Sequence, residues 1–172
     1  MILEREESAK ARGLKKPLAI LRGWGQATDG YHAAKPHPEG AGILDAMKNA
    51  LTRSGLKASD IEYLNAHATG TAIGDLAEMK ALAGLFDEKT AVSSTKGLTG
   101  HGLSLASIME LALTIQALKD GYCPGTYGLK ELDSAAKGVN YLKENLQKPT
   151  RYAMSNSSGF GGANVSLVVE NA

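Results

Sequence analysis

One cysteine in 172 residues, Cys123, leaves no internal disulfide framework and points to a reducing compartment, the cytoplasm by default. No apolar run reaches the roughly 20 residues that a membrane-spanning helix needs. The residues after Met1-Ile2-Leu3 are charged and polar, unlike a secretion signal. Neither sign of charge dominates: 19 basic against 18 acidic residues leave a net charge of +1, which supports neither a nucleic-acid footprint nor a membrane-surface patch. The densest positive run, Lys10, Arg12, Lys15 and Lys16, is either a solvated helix end or a place to dock an acidic partner. Internal repeats and low-complexity segments are absent. So are the nucleotide signatures: no GxxxxGK[ST] occurs, and Gly159-x-Gly161-Gly162 precedes a strand instead of a helix. His32 and His37 lack the further ligands of a zinc site. What remains, 43% hydrophobic residues, 5% aromatics and 20 glycines, suits one globular α/β domain.

In chain order, Ile2-Leu3 suggests the stub of a strand, and Glu4 to Arg12 a charged helix stopped by Gly13. Pro17 to Ala27 is a strand, with Gly23 and Gly25 marking a bulge or a close backbone approach. Thr28 to Gly40 is a loop, and Gly42 to Ser54 a helix closed by Gly55. A linker, Leu56 to Asp60, leads to a strand over Ile61 to Ala66. Next come a turn over His67 to Gly74 and a helix over Leu76 to Leu85 that Asp75 opens. Thr90 to Thr95 is a third strand. Leu103 to Leu118 is a helix whose only charge is Glu110 and whose apolar residues surround it, so burial on most sides is expected. Tyr122 to Asp133 is a loop, and Ser134 to Pro149 shows no clear pattern. Tyr152 to Asn156 and Val165 to Val169 close the chain as two strands. The alternation implies a largely parallel sheet with an antiparallel pair at its end.

Three strands run into tight polar or glycine-rich turns: Asn65 to Thr71, Lys96 to His101, and Asn156 to Asn164. Ligands of open α/β sheets gather where strand ends meet, so His67, Lys96 and His101 can converge. Taken singly, His67 suits a structural histidine and Lys96 a solvated lysine. His101, read at a helix start, has its imidazolium disfavoured by the positive dipole end, and a neutral ring can donate or accept a hydrogen bond. Glu110 shares a helical stripe with Ser107 and Thr114, and an unpaired carboxylate there would be costly. Cys123, followed by Pro124 in a loop, has no histidine near it in sequence and reads as an inert thiol.

Together the three turns resemble the C-terminal half of a β-ketoacyl-acyl carrier protein synthase, a condensing enzyme of the thiolase-like superfamily. Asn65-Ala66-His67-Ala68-Thr69-Gly70-Thr71, with Asp75 and Glu78 following, resembles its first histidine motif. Ser93-Ser94-Thr95-Lys96 with Gly100-His101 resembles its lysine–histidine motif, and Asn156 to Asn164 its glycine-rich motif. The resemblance implies the C-terminal half of a five-layered αβαβα fold, with a mostly parallel mixed sheet and a buried central helix. It makes residues 1–172 a single C-terminal ketoacyl-synthase domain and residues 1–16 a remnant of the junction with the N-terminal half.

By the same resemblance His67 and His101 would hydrogen-bond the thioester carbonyl of a malonyl-type extender. Lys96 would orient them, supported by Glu110. Thr69 and Thr71 would contact pantetheine, the Ser158 amide would serve an oxyanion hole, and Phe160 would lie beside the substrate. No cofactor is implied; substrates would ride on the phosphopantetheine arm of acyl carrier protein. The family's nucleophilic cysteine belongs to an N-terminal half, a necessary partner in a homodimer or heterodimer, and Cys123 does not match its motif. The implied reaction is decarboxylative condensation of malonyl-acyl carrier protein with a cysteine-bound acyl chain, in fatty-acid or polyketide elongation, with this chain inactive alone. The alternative is a non-catalytic subunit resembling a chain-length factor. Three positions depart from the family pattern: Ala68 for glycine, Ser104-Leu105-Ala106-Ser107 for a glycine-rich run, and Ser158 for a gating phenylalanine.

Overall fold

The computed structural model describes all 172 residues. Its elements are α1 (Glu6–Ala11), β1 (Ala19–Thr28), α2 (Ala41–Ser54), β2 (Tyr63–Asn65), α3 (Ala72–Ala83), β3 (Ala91–Ser93) and the single turn α4 (Lys96–Thr99). They continue with α5 (Ala106–Asp120), β4 (Tyr122–Cys123), β5 (Asn140–Tyr141), β6 (Leu146–Gln147), β7 (Tyr152–Ser158) and β8 (Ala163–Asn171). No helix is long and apolar enough to cross a membrane.

Six strands form one sheet in the order β1-β8-β7-β2-β3-β5, while β4 and β6 pair apart from it. Strands β7, β2, β3 and β5 pair in parallel, and β8 is antiparallel to both of its neighbours. The expected antiparallel pair at the end of the chain is therefore part of a triplet. Since β8 alone is reversed, β1, β7, β2 and β3 all present their carboxyl ends at one edge. The chain leaves that edge through the turns that carry Asp29, Ser158, His67 and Lys96.

Helices cover both faces of the sheet, and the strand residues divide strictly between the two cores. Leu64, Val92, Met154 and Val168 pack with Ile43, Met47 and Leu51 of α2 and Leu82 of α3. Their immediate neighbours Tyr63, Ala91, Ala153 and Val169 pack with Leu111, Ala117 and Leu118 of α5. Successive side chains of a strand point to opposite faces, so doubly covered strands read as continuous apolar runs. Gly25 brings β1 against α2, since a Cβ there would lie 1.9 Å from the carbonyl oxygen of Ala46. Helix α2 ends where Gly55 takes a left-handed conformation and its N–H turns back to Leu51 and Thr52, a stop that the sequence announces.

Several expectations are corrected. Ile2-Leu3 forms no strand, as both residues are exposed and have no partner. Helix α3 begins at Ala72, three residues before Asp75. The linker after α2 contains a 3-10 turn at Ala58–Asp60, and the unpatterned segment supplies the two-residue strands β5 and β6. The long helix starts at Ala106, because Leu103–Leu105 is a separate 3-10 turn. It is not buried on most sides either. Leu111, Thr114 and Leu118 face the sheet, whereas Ile108, Ala112 and Gln116 lie exposed.

Candidate functional site

Strand β2 ends at Asn65, and two residues later the chain places His67 over the carboxyl edge. The turn is pinned from below by Glu78 of α3. Its two carboxylate oxygens accept the consecutive N–H groups of His67 (2.9 Å) and Ala68 (2.8 Å). Glu78 is buried and has no cationic partner. Burial pushes its carboxyl up, and the two amide donors and Asn156 offset that in part. Ala68 adopts φ of +22°, a value that favours glycine, so the alanine in place of the family's glycine sits in a strained turn.

Strand β3 delivers Lys96 as the first residue of α4. Lys96 is 7% exposed and Glu110 of α5 fully buried, and the two form an ion pair. The same ammonium lies 3.2 Å from Nδ1 of His67. An ammonium can only donate, so Nδ1 of His67 accepts and the ring proton sits on Nε2. Burial, then the charge of Lys96, then His101 hold the His67 pKa down to about 3, and the ring is neutral at physiological pH. Burial raises the Glu110 carboxyl, against the opposing pull of Lys96.

His101 is not at a helix start, since α5 begins five residues later. Its ring is set by a different device. The backbone N–H of Leu103 donates to His101 Nδ1 at 3.1 Å, from a residue held at φ of +50°. The neutral ring therefore also carries its proton on Nε2. The two imidazoles meet edge to face, with centroids 5.4 Å apart and planes at 86°. Two N–H donors from separate turns are thus held side by side. The Ser94 hydroxyl joins the turns, accepting the Lys96 N–H and reaching the Ala68 carbonyl.

Thr69 and Thr71 stand with their hydroxyls 3.0 Å apart, and Asp75 holds the turn between them by accepting the Gly70 N–H. The four residues expected to act together, His67, Lys96, His101 and Glu110, form one connected cluster. Ser158 and Phe160 share the same edge but belong to another network. The Ser158 hydroxyl donates to Asn164 Oδ1 at 2.7 Å, and Phe160 lies exposed on the turn between β7 and β8. Asn156 supports the first network from β7, its amide facing Glu78 at 3.4 Å and its Oδ1 accepting the Ser166 hydroxyl at 2.8 Å.

Two participants carry no role in the sequence reading. Asp29, at the end of β1, accepts N–H groups from His37 and Gly42 and the amide of Asn164. His37 and Gly42 lie 8 and 13 residues away, but the partner that ties Asp29 to the glycine-rich turn, Asn164, lies 135 residues away. Asn65 is buried between Thr95 and Thr114, and its Oδ1 has no partner. Cys123 lies in the core beneath α5, beside Thr150, where burial pushes its thiol up. No three His, Cys, Asp or Glu side chains come close enough to hold a metal ion.

Residues 18–130 match the family model described as the β-ketoacyl synthase C-terminal domain. The chain is 42% identical to the mitochondrial 3-oxoacyl-[acyl-carrier-protein] synthase of Arabidopsis thaliana, over 98% of its own length and 38% of that protein. A β-ketoacyl synthase from Burkholderia phymatum superposes with a TM-score of 0.92 at 36% identity, covering 98% of this chain and 41% of that one. A ketosynthase from Xenorhabdus doucetiae, solved in complex with its chain length factor, gives 0.86 at 34% identity, over 92% and 40% of the two chains. The chain spans about two fifths of the length of each of these relatives.

Proposed function

The chain belongs to the β-ketoacyl synthase C-terminal domain family, and from that premise we propose that it supplies the electrostatic and acid–base part of a condensing site. The reaction joins malonyl-acyl carrier protein to an acyl group held as a thioester on a cysteine of an N-terminal half. The malonyl carbon–carbon bond breaks, CO2 leaves, and the electron pair spreads from the α-carbon onto the thioester oxygen. The Nε2–H groups of His67 and His101 receive that oxygen, so the charge develops against two donors already in place. The carbanion then attacks the acyl carbonyl, and the cysteine sulfur departs as thiolate. The Ser158 amide belongs to the oxyanion hole of this second step, and Thr69 and Thr71 to the binding of the pantetheine arm.

The observation that carries this reading is the Lys96 ammonium, shared between Glu110 and Nδ1 of His67. A lysine buried to this degree is costly. Here it fixes the tautomer that makes His67 a donor and keeps the ring from taking up a proton. A scaffold subunit needs neither. No cofactor takes part. The exposed face of α5 is where an N-terminal half would pack, acyl carrier protein is the second partner, and the complete enzyme is a homodimer or heterodimer. The single buried thiol fits a reducing compartment such as the cytoplasm.

The test combines the purified chain with the cysteine-bearing N-terminal half of a relative and measures β-ketoacyl product from malonyl-acyl carrier protein. Product is expected with the unaltered chain. His67→Ala and His101→Ala should each lower the rate by roughly 10²–10³, the usual cost of removing one such donor. No product from the unaltered chain, or full product from both variants, sinks the reading in favour of a non-catalytic partner like the chain length factor.

A further inference from the structure

Thr71 is the N-cap of α3, extended at φ −97° and ψ 131°. From that position a threonine hydroxyl ordinarily accepts an N–H of the first helical turn, commonly that of the third residue. Thr71 makes no such bond. The third residue is Gly74, and the Thr71 hydroxyl turns instead to Thr69 Oγ1, 3.0 Å away. Asp75 holds the turn that precedes the helix by accepting the Gly70 N–H at 3.2 Å. A hydroxyl is thus withheld from its own helix.

Gly74 has no conformational reason to be glycine. It lies in an ordinary first helical turn, outside the left-handed region, where alanine is the better residue. A Cβ built there would have as its three nearest neighbours Thr71 Oγ1 at 2.5 Å, Thr69 Oγ1 at 3.6 Å and Thr71 Cβ at 3.9 Å. The space left by the missing side chain is taken by the Thr71 hydroxyl, and Thr69 Oγ1 stands at ordinary contact distance beyond it. We propose that Gly74 is a positioning residue, whose missing side chain keeps the Thr71 hydroxyl beside Thr69 and available to the polar groups of a pantetheine arm. The inference rests on the condensing-site reading for its ligand, though not for its geometry. An alanine is accommodated by rotating Thr71 about χ1, which costs the fold little. The consequence therefore falls on the hydroxyl.

The experiment is Gly74→Ala in the full chain, with two readouts. A crystal structure or side-chain couplings of the variant should show Thr71 in another rotamer and the hydroxyl contact gone, with the melting temperature unchanged or higher. Combined with the cysteine-bearing half, the variant should show a KM for malonyl-acyl carrier protein raised roughly three- to tenfold, as expected for one neutral hydrogen bond, and an unchanged kcat. In a Thr71→Ala background Gly74→Ala should add nothing to KM. An unmoved Thr71 hydroxyl overturns the proposal. So does an unchanged KM, or an equal fall in kcat and stability with no change in KM. If the unaltered combination makes no product, the condensing reading fails, and the rotamer still decides what Gly74 does.

Discussion

Lys96 and Glu110 show how much one residue depends on another here. Both are buried, and Glu110 keeps one oxygen, Oε2, without any partner. Replacing Lys96 by alanine leaves that carboxylate buried and uncompensated, which costs about 3–5 kcal/mol in comparable pairs. We expect urea unfolding of Lys96→Ala to show a loss of that order at neutral pH. The double variant Lys96→Met, Glu110→Leu should recover most of it without recovering condensation. A single variant as stable as the parent would mean that water reaches Glu110. His67 supplies a second expectation, through pH. Its folded pKa of about 3 lies below the ordinary value of 6.5, so between those limits the unfolded chain binds more protons than the folded one. Stability contributed by the neutral ring is complete above about pH 6.5 and declines as the pH falls toward 3. Glu78 and Glu110, raised by burial, act in the opposite sense, since the folded state keeps their protons longer as pH rises above 4.5. The difference between the parent and His67→Asn isolates the histidine. That difference should shrink by on the order of a few kcal/mol between pH 7 and pH 4. A pH-independent difference would contradict the half-buried, neutral ring.

At the scale of elements, legibility in the sequence followed the range of the forces involved. Helix α2 was readable because its apolar spacing and its closing glycine are local signals, and β7 and β8 because their runs are long. The start of α5 was not. Leu103 and Leu105 continue an apolar pattern that the backbone breaks, and the left-handed φ of Leu103 leaves no mark on composition. That error altered the explanation of His101: its ring is set by the Leu103 amide, not by a helix dipole. Strands β5 and β6, two residues each, carry too little sequence to form a pattern and exist because neighbouring strands offer them hydrogen bonds. The His67, Lys96, His101 and Glu110 cluster was legible as a set because its motifs are dense in polar residues at strand ends. Asp29 was not, because its tie to the site runs through Asn164 and Gly162 from the far end of the chain, while its nearer partners His37 and Gly42 make it read as an ordinary loop aspartate. Ala68 falls between these cases. The sequence shows an alanine where the family pattern has glycine, and the backbone shows that the position takes a positive φ.

The whole molecule exposes more surface than its size calls for. An 18.0 kDa chain folded as a monomer is expected to present about 8,000 Å², whereas this one presents 9594 Å². The excess, roughly 1,500 Å², is larger than the ~800 Å² that one partner commits to an interface of standard size. Leu103 and Leu105 on the lead-in turn, Ile108 in the first turn of α5 and Leu98 on α4 are all exposed. An apolar surface of this kind on a soluble chain marks a partner site or an aggregation hazard. The site stands at its margin, since His101 lies between Leu98 and Leu103 in the chain. Under the condensing-site proposal, a partner on that face would lie next to His101 and lower the water content around the histidines, which strengthens their electrostatic contribution. We expect the chain alone to sediment as a dimer or larger species at micromolar concentration. Leu105→Lys with Ile108→Glu should convert it to a monomer of unchanged secondary structure that no longer combines with an N-terminal half. A parent chain that is monomeric and well behaved would mean that α5 needs no cover. The proposed condensing site would then have to work open to water, where two imidazole donors are worth far less.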